Sequence, residues 1–286
     1  MVMKQKILVT GANGQLGMEL RDLASNYNQY EFIFLSKDEL SITDKEQVDT
    51  LFKKYRPQFC INCAAYTAVD KAEHEPALAF LVNGDAVGFL AAASNENNCG
   101  FIHISTDYVF SGDANEPYTE DAATGPQSVY GASKLDGEKK AVAANPSSII
   151  IRTSWVYSAY GKNFVKTMQR LLAEKKEIGV VNDQYGSPTY AADLAEATMQ
   201  IISSGSWTPG IYHYSNEGII SWYDFANAIQ SITGTNCIIR SIPTSQYPTA
   251  AKRPAWSALD NSKIKAVYKI ELKSWRKSLE RLIIND

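Results

Sequence analysis

Lys6-Ile7-Leu8-Val9-Thr10-Gly11-Ala12-Asn13-Gly14-Gln15-Leu16-Gly17 is the stretch whose reading decides the fold. A short apolar run, a glycine-punctuated turn and a helical pattern through Leu16, Leu20 and Leu23 make a strand, a tight turn and a helix. Glycine lets the backbone turn sharply and approach a ligand closely, and the helix then offers N–H groups and a positive dipole end to an anion. Gly11, Asn13, Gly14, Gln15, Leu16 and Gly17 are therefore the expected contacts to the pyrophosphate of a dinucleotide. The spacing is G-x-x-G-x-x-G, not the G-x-G-x-x-G of the simplest fingerprint.

A second stretch supplies chemistry. Phe101 to Ile104 reads as a buried parallel strand. Ser105, Thr106, Asp107 and Tyr108 follow it, where an open α/β sheet delivers residues to a ligand. Tyr130 and Lys134 are four apart, so on a helix they share a face. A lysine about 4 Å from a phenol, at an effective dielectric of about 20, stabilises the phenolate by roughly 4 kcal/mol. That is about three pKa units, enough to bring the phenol toward neutrality. Such a proton donor, with the Thr106 hydroxyl beside it, suits reduction of a ketone.

Together these stretches resemble the short-chain dehydrogenase/reductase superfamily, in its extended branch acting on nucleotide sugars. Within that branch the likeness is to the dTDP-4-dehydrorhamnose reductase family. It is carried by Asn62 to Glu73 (NCAAYTAVDKAE), Ser105 to Phe110 (STDYVF), Arg152 to Tyr157 (RTSWVY), Asn182 to Thr189 (NDQYGSPT) and Arg253-Pro254, besides the glycine turn and Tyr-x-x-x-Lys. The resemblance implies NADPH-dependent reduction of the C4 ketone of a nucleotide-linked 6-deoxysugar. Thr106, Tyr130 and Lys134 would be catalytic, with Tyr130 the proton donor. Cys63, Ala64, Ala65 and Tyr66 would wall the cofactor, which Tyr130 and Lys134 also touch. Thr67, Val69, Ser105, Thr106, Asp107, Tyr108, Tyr130, Trp155 and Arg253 would bind substrate.

Cofactor choice is read at the end of the second strand, Glu31 to Leu35. An acidic residue there usually holds the ribose of NAD. This chain has Ser36 and Lys37 instead, with Asp38 next to offset the lysine in part, so NADPH is expected to be favoured modestly and NADH to be accepted too. Some members of the family dimerise around a metal held by glutamates. Glu19 matches one such position, but Tyr190-Ala191-Ala192 offers no second acid. Mg2+ is therefore doubtful, no metal site is assigned, and a monomer or weak homodimer is expected.

Two rival functions remain open. A nucleotide-sugar 4,6-dehydratase or epimerase shares the fold, but dehydratases of this branch carry an Asp-Glu pair after the Thr, and here Tyr108 follows Asp107. A non-catalytic regulatory subunit, like the β subunit of methionine adenosyltransferase, would also resemble this chain.

The remaining chain fits an α/β class. Thr43-Asp44-Lys45-Glu46 has capping-box form for a helix to about Tyr55. Gln58 to Cys63 reads as a strand, about Pro76 to Asn95 as a long alanine-rich helix, and Ser148 to Arg152 as another buried strand. Later come an amphipathic helix from Phe164, a strand Ile178 to Val181, and a helix at about Ala191 to Ile202. A strand Ile211 to Tyr214, a helix opened by Ser221, a strand Ile238 to Ile242 and a final helix from Ser274 complete the pattern. Alternating β and α predicts a doubly wound, parallel Rossmann-type sheet over residues 1–155. Residues 156–286 are expected to form a smaller α/β substrate-binding lobe, interleaved with the first.

Composition excludes other classes. A net charge of −3 without a basic patch argues against a nucleic-acid partner. Four cysteines in a chain this long make no disulfide framework, and Cys60-x-x-Cys63 lies in a strand rather than at a helix start. The three histidines lack metal-ligand spacing. The apolar run Ile7 to Val9 is too short for a signal-peptide core, and no stretch reads as a membrane span. A cytoplasmic protein acting on a small nucleotide sugar is expected.

Overall fold

Strand residues that alternate between two apolar faces build a sheet that must be covered on both sides. In the computed structural model, which describes residues 4–285, the strands β1 (Gln5–Thr10), β2 (Tyr30–Leu35), β3 (Phe59–Asn62), β4 (Gly100–Thr106) and β5 (Ile149–Thr153) do this. Ile7, Val9, Ile61, Ile102, Ile149 and Ile151 face one core, and Leu8, Cys60, Phe101 and Ile150 the other. On the first side lie α1 (Gln15–Leu23) and a later helix, Ala191–Ser203. On the second side lie α2 (Lys45–Tyr55), α3 (Pro76–Glu96) and α4 (Val129–Ala144).

The second half of the chain then adds α5 (Phe164–Glu174), β6 (Glu177–Val181), α6 (Ala191–Ser203), β7 (Gly210–His213), α7 (Trp222–Thr233), β8 (Ile238–Ile242), α8 (Ser262–Tyr268) and α9 (Trp275–Asn285). The large sheet runs β7-β5-β4-β3-β1-β2, and every neighbouring pair is parallel. The direction of strand order reverses between β1 and β3, which opens a crevice at their carboxyl ends. A cut at residue 155 would leave this sheet without β7 and its face without α6, whose Leu194 and Met199 fill the core beside Ile7 and Val9. The smaller lobe comprises α5, α7, α9 and the parallel pair β6–β8, around Val165, Leu172, Phe225, Ile229 and Leu279.

Local readings are corrected in three places. Asp44, not Thr43, caps α2, its side chain accepting from Gln47 N–H at 3.0 Å. Helix α3 contains a π turn, Leu81–Asp85, where the ladder admits an extra residue. That helix is also long and apolar enough to cross a membrane by length and composition, contrary to the expectation of no such stretch. Its Ala79, Ala86, Val87, Leu90 and Ala91 are fully buried, so this apolar face is already used by the core.

One buried ion pair ties α4 to the sheet. Glu138 and Arg152 are each about 3% exposed, and the Arg152 fork donates from Nε (2.9 Å) and Nη2 (2.7 Å) to the two carboxylate oxygens. Removing one partner leaves an uncompensated buried charge, which typically costs about 3–5 kcal/mol, whereas apolar replacement of both is often neutral. Glu138→Leu is therefore expected to lose about that much in denaturant unfolding, and Glu138→Leu/Arg152→Met to recover most of it.

Candidate active site

The crevice at β1 and β3 is lined by backbone because side chains have no room. Gly11 has φ +64°, and a Cβ there would sit 2.6 Å from Ala64 N; one on Gly17 would sit 2.5 Å from Gly11 O. Gly14 N–H closes the turn on Gly11 O at 2.9 Å. Gly14 caps α1 with no side-chain hydrogen bond, and the first turn holds no acid. By contrast α2, α4, α5 and α7 are capped by Asp44, Ser128, Asn163 and Ser221. The α1 terminus thus fits an anionic pyrophosphate. Asn13 is exposed at the turn, Leu16 is buried beneath it, and the Gln15 carboxamide accepts from Asn163 Nδ2 at 2.9 Å.

Cys63, Ala64, Ala65 and Tyr66 follow β3 into the same crevice. Asn83, placed by the π turn, fixes this segment. It accepts from Tyr66 N–H (2.8 Å) and donates to Tyr66 O (3.0 Å) and Ser133 Oγ (3.0 Å). At the end of β2 the sequence places no acid at Ser36, with Lys37 and Asp38 next, and the structure brings a carboxylate to Ser36 from further along. Glu39 folds back, and its Oε2 accepts from both Ser36 N–H and Ser36 Oγ at 2.8 Å. Those bonds, led by the Ser36 backbone, hold the Glu39 carboxyl below its ordinary range. Lys37 is exposed beside it.

Helix α4 carries the chemistry. Gly131 lets it press against the loop after β4, since a Cβ there would fall 2.2 Å from Tyr108 O. Lys134 is 2% exposed, and its Nζ donates to Ile104 O at 2.6 Å and stands 3.3 Å from His103 Nε2. Burial brings Lys134 down to about 8, against the pull of Glu138 and Cys63. The Tyr130 phenol is pushed up to about 12, chiefly by burial, which the nearby Thr106 hydroxyl partly offsets and the Asp107 charge reinforces. The expected drop toward neutrality is thus overturned. Desolvation disfavours the phenolate, and the Lys134 Nζ is turned to the strand, toward Ile104 O and His103.

Thr106 Oγ1 donates to Asp107 Oδ1 at 2.8 Å and accepts from Tyr108 N–H at 3.2 Å. The Tyr108 ring meets Tyr130 edge-on, with centroids 5.5 Å apart. Burial raises the Tyr108 phenol, and the nearby Arg253 only partly opposes the rise. Its Nη2 donates to Asp70 Oδ2 at 2.6 Å, while Nη1 is buried with no partner. A guanidinium N–H left so is ready for an acceptor oxygen on a ligand. Thr67 is exposed and Val69 half-buried on the Asp70 side.

Two substrate expectations change. Ser105 turns away from this group, since its Oγ donates to Glu138 Oε1 at 2.5 Å and it helps seat α4. Trp155, at φ +48°, stacks on Trp222 with centroids 3.5 Å apart, so one face is taken by protein. Asn83, His103, Glu39, Asp70 and Trp222 escaped the sequence reading. An Asn inside an apolar helix and a His inside an apolar strand are available signals; Glu39 depends on a local fold-back onto Ser36, and Asp70 and Trp222 on long-range contacts.

The family model described as RmlD substrate binding domain matches residues 4–286. A curated dTDP-4-dehydrorhamnose reductase of Aggregatibacter actinomycetemcomitans is 42% identical, covering 97% of this chain and 98% of its own length. The spore coat polysaccharide biosynthesis protein SpsK of Bacillus subtilis (strain 168) is 44% identical over 97% of this chain and 96% of its own. A solved structure of dTDP-4-dehydrorhamnose reductase from Bacillus anthracis str. Ames in complex with NADP superposes with a TM-score of 0.96. It is 40% identical, covering 99% of this chain and 100% of that one.

Asp107 gives the site a pH signature. It is 3% exposed, Oδ2 has no hydrogen-bond partner, and burial raises its carboxyl from 3.8 to about 6. A folded value above the unfolded one contributes stability that is complete below about 4 and lost as pH rises through 6. At neutral pH the buried carboxylate therefore costs roughly 3 kcal/mol at most. Asp107→Asn, which keeps the acceptor for Thr106, is expected to unfold about 1–3 kcal/mol later at neutral pH, and the two proteins should converge near pH 4. Denaturant midpoints at the two pH values check this.

Proposed function

The chain belongs to the RmlD substrate binding domain family, and from that membership we propose that it reduces dTDP-4-dehydrorhamnose to dTDP-L-rhamnose. The product is a precursor of cell-surface polysaccharide. The observation that carries this reading is the likeness, at about 40% identity over nearly the full chain, to proteins named for this reaction. The site's chemistry supports it. A reductase must hand a proton to the alkoxide that forms as hydride arrives, so its acid must be protonated at working pH. Tyr130, at about 12, meets that condition.

We assign the residues as follows. The bound reduced nicotinamide supplies the hydride. Tyr130 gives its phenolic proton to the oxygen at C4. Thr106 hydrogen-bonds that same oxygen, and Asp107 orients the Thr106 hydroxyl. Lys134 braces the Tyr130 side of the crevice. Arg253, tethered by Asp70, offers Nη1 to an oxygen of the nucleotide sugar. The α1 terminus and the Gly11 turn take the cofactor pyrophosphate, with Cys63 to Tyr66 as its wall. Both partners are water-soluble anions, in keeping with a cytoplasmic enzyme.

The decisive assay follows loss of reduced-nicotinamide absorbance with dTDP-4-dehydrorhamnose and NADPH. Tyr130→Phe keeps the ring and removes the proton, so turnover is expected to fall about 10²–10⁴-fold while cofactor affinity stays. Near-normal turnover in that variant would remove this phenol from the mechanism.

Cofactor preference follows from opposed charges at the end of β2. Lys37 favours a 2′-phosphate and the Glu39 carboxylate opposes it, both as exposed charges that solvent screens. We propose that both cofactors serve, with NADPH ahead by roughly tenfold or less. Glu39→Gln removes the repulsion without adding a cation, so the ratio of kcat/KM for NADPH over NADH should rise up to about fivefold. An unchanged or falling ratio would show that Glu39 does not face the ribose.

A further inference from the structure

Three buried side chains form a chain from the carboxyl ends of β1 and β3 to the middle of β4. Thr10 Oγ1 donates to Asn62 Oδ1 at 2.7 Å, and Ala64 N–H donates to the same oxygen at 3.2 Å. A backbone N–H can only donate, so the oxygen of this amide must face Ala64 and its nitrogen must face His103. Asn62 Nδ2 stands 3.0 Å from His103 Nδ1, which is thereby an acceptor. A neutral imidazole carries one proton, and here it must sit on Nε2. The charged form would set two donors face to face at Nδ1, and burial holds His103 well below its ordinary range. Nε2 in turn points at Lys134 Nζ, 3.3 Å away. An ammonium has donors only, whereas the lone pair of an amine can accept from Nε2–H.

We propose that His103 is a positioning residue for Lys134: locked as the Nε2–H tautomer by Thr10, Asn62 and Ala64 N–H, it presents a donor to Nζ and loosens the third proton of the ammonium. The inference rests on Lys134 belonging to the reductase site proposed above. Nζ also donates to Ile104 O, a bond that either protonation state can make. The other charged and titratable neighbours are Glu138, on the same helix, and Cys63, at the end of β3; both favour the ammonium. His103 works against them and with burial. The consequence is that Lys134 titrates near working pH, not far above it.

Nitrogen-15 NMR of labelled imidazoles reads the tautomer directly. The chain has three histidines. His74 is exposed, and His213 turns Nδ1 to the Tyr118 carbonyl at 3.0 Å, so its proton sits on Nδ1. The expected third ring is fixed as Nε2–H through the neutral range, and its signal is absent in His103→Gln. An Nδ1–H form, or an imidazolium near neutral pH, overturns the proposal whether or not the chain turns over substrate.

Asn62→Asp supplies the kinetic arm. A second oxygen in place of Nδ2 accepts from Nδ1–H, so Nε2 becomes an acceptor for the ammonium. The ring should switch tautomer, and the alkaline limb of kcat/KM should move up by about one to two pH units. The new charge alone would also act on Lys134, and His103→Phe/Asn62→Asp, measured against His103→Phe, separates the two. A clearly smaller shift in that pair supports the tautomer lock, and an equal shift overturns it. Should His103→Phe fail to fold, the tautomer seen in Asn62→Asp decides.

Discussion

A lysine ammonium buried to 2% exposure under the edge of a parallel sheet is the constraint on which this site depends. Removing such an ion from water costs several kcal/mol unless partners replace the solvent. Here the replacement is the Ile104 carbonyl and the Glu138 charge one turn along α4, while the polar chain that ends at His103 works against the ammonium. Those partners exist only if α4 lies close against β4. Gly131 allows the approach, since a Cβ there would fall 2.2 Å from Tyr108 O, and Gly137 lets α4 close on α3, where a Cβ would fall 2.0 Å from Asn83 O. The Glu138–Arg152 pair and Ser105 then fix the depth of the helix. Tyr130 is carried into place by the same docking.

The sheet was legible in the sequence because period-two alternation is a local property. Leu8 against Ile7 and Val9, or Cys60 against Ile61, already divides the two cores. The glycine turn was legible for a similar reason, as close backbone approach leaves no tolerance for a side chain. Interleaving of the second half was harder. Nothing local in Gly210–His213 says that it pairs with Ile149–Arg152 rather than with a strand of its own lobe. The α2 cap slipped by one residue because Thr43 and Asp44 both suit the place, and only backbone geometry chooses between them.

Electrostatics was the least legible layer. Spacing puts Tyr130 and Lys134 on one face, and in a moderately polar medium their pairwise attraction favours the phenolate. The structure buries Lys134 and half-buries Tyr130, and desolvation then raises the phenol and lowers the lysine together. A missing acid at Ser36 was likewise read position by position, while Glu39 supplies one from three residues on by folding back. Side chains of four or five bonds reach across such gaps, so a carboxylate is located by its hydrogen bonds and not by its place in a motif.

These shifts act in one direction, and that direction suits reduction. A phenol with its proton firmly held is a poor base for withdrawing hydrogen from an alcohol, but it can still protonate an alkoxide, which is a far stronger base than phenolate. Burial thus biases Tyr130 toward giving a proton and against taking one. Thr106 reinforces the bias, because its hydroxyl can turn from Asp107 toward a developing negative oxygen without any change in the backbone. That reorientation exposes the buried, raised Asp107 carboxyl to the loss of a hydrogen-bond donor, which favours its neutral form. The cluster therefore avoids placing a second full negative charge beside the reacting oxygen. What separates this arrangement from a base-dependent elimination site is the residue after Asp107. Tyr108 fills that place with an aromatic ring set edge-on to Tyr130, and its own phenol is raised by burial, leaving no carboxylate there to abstract a proton.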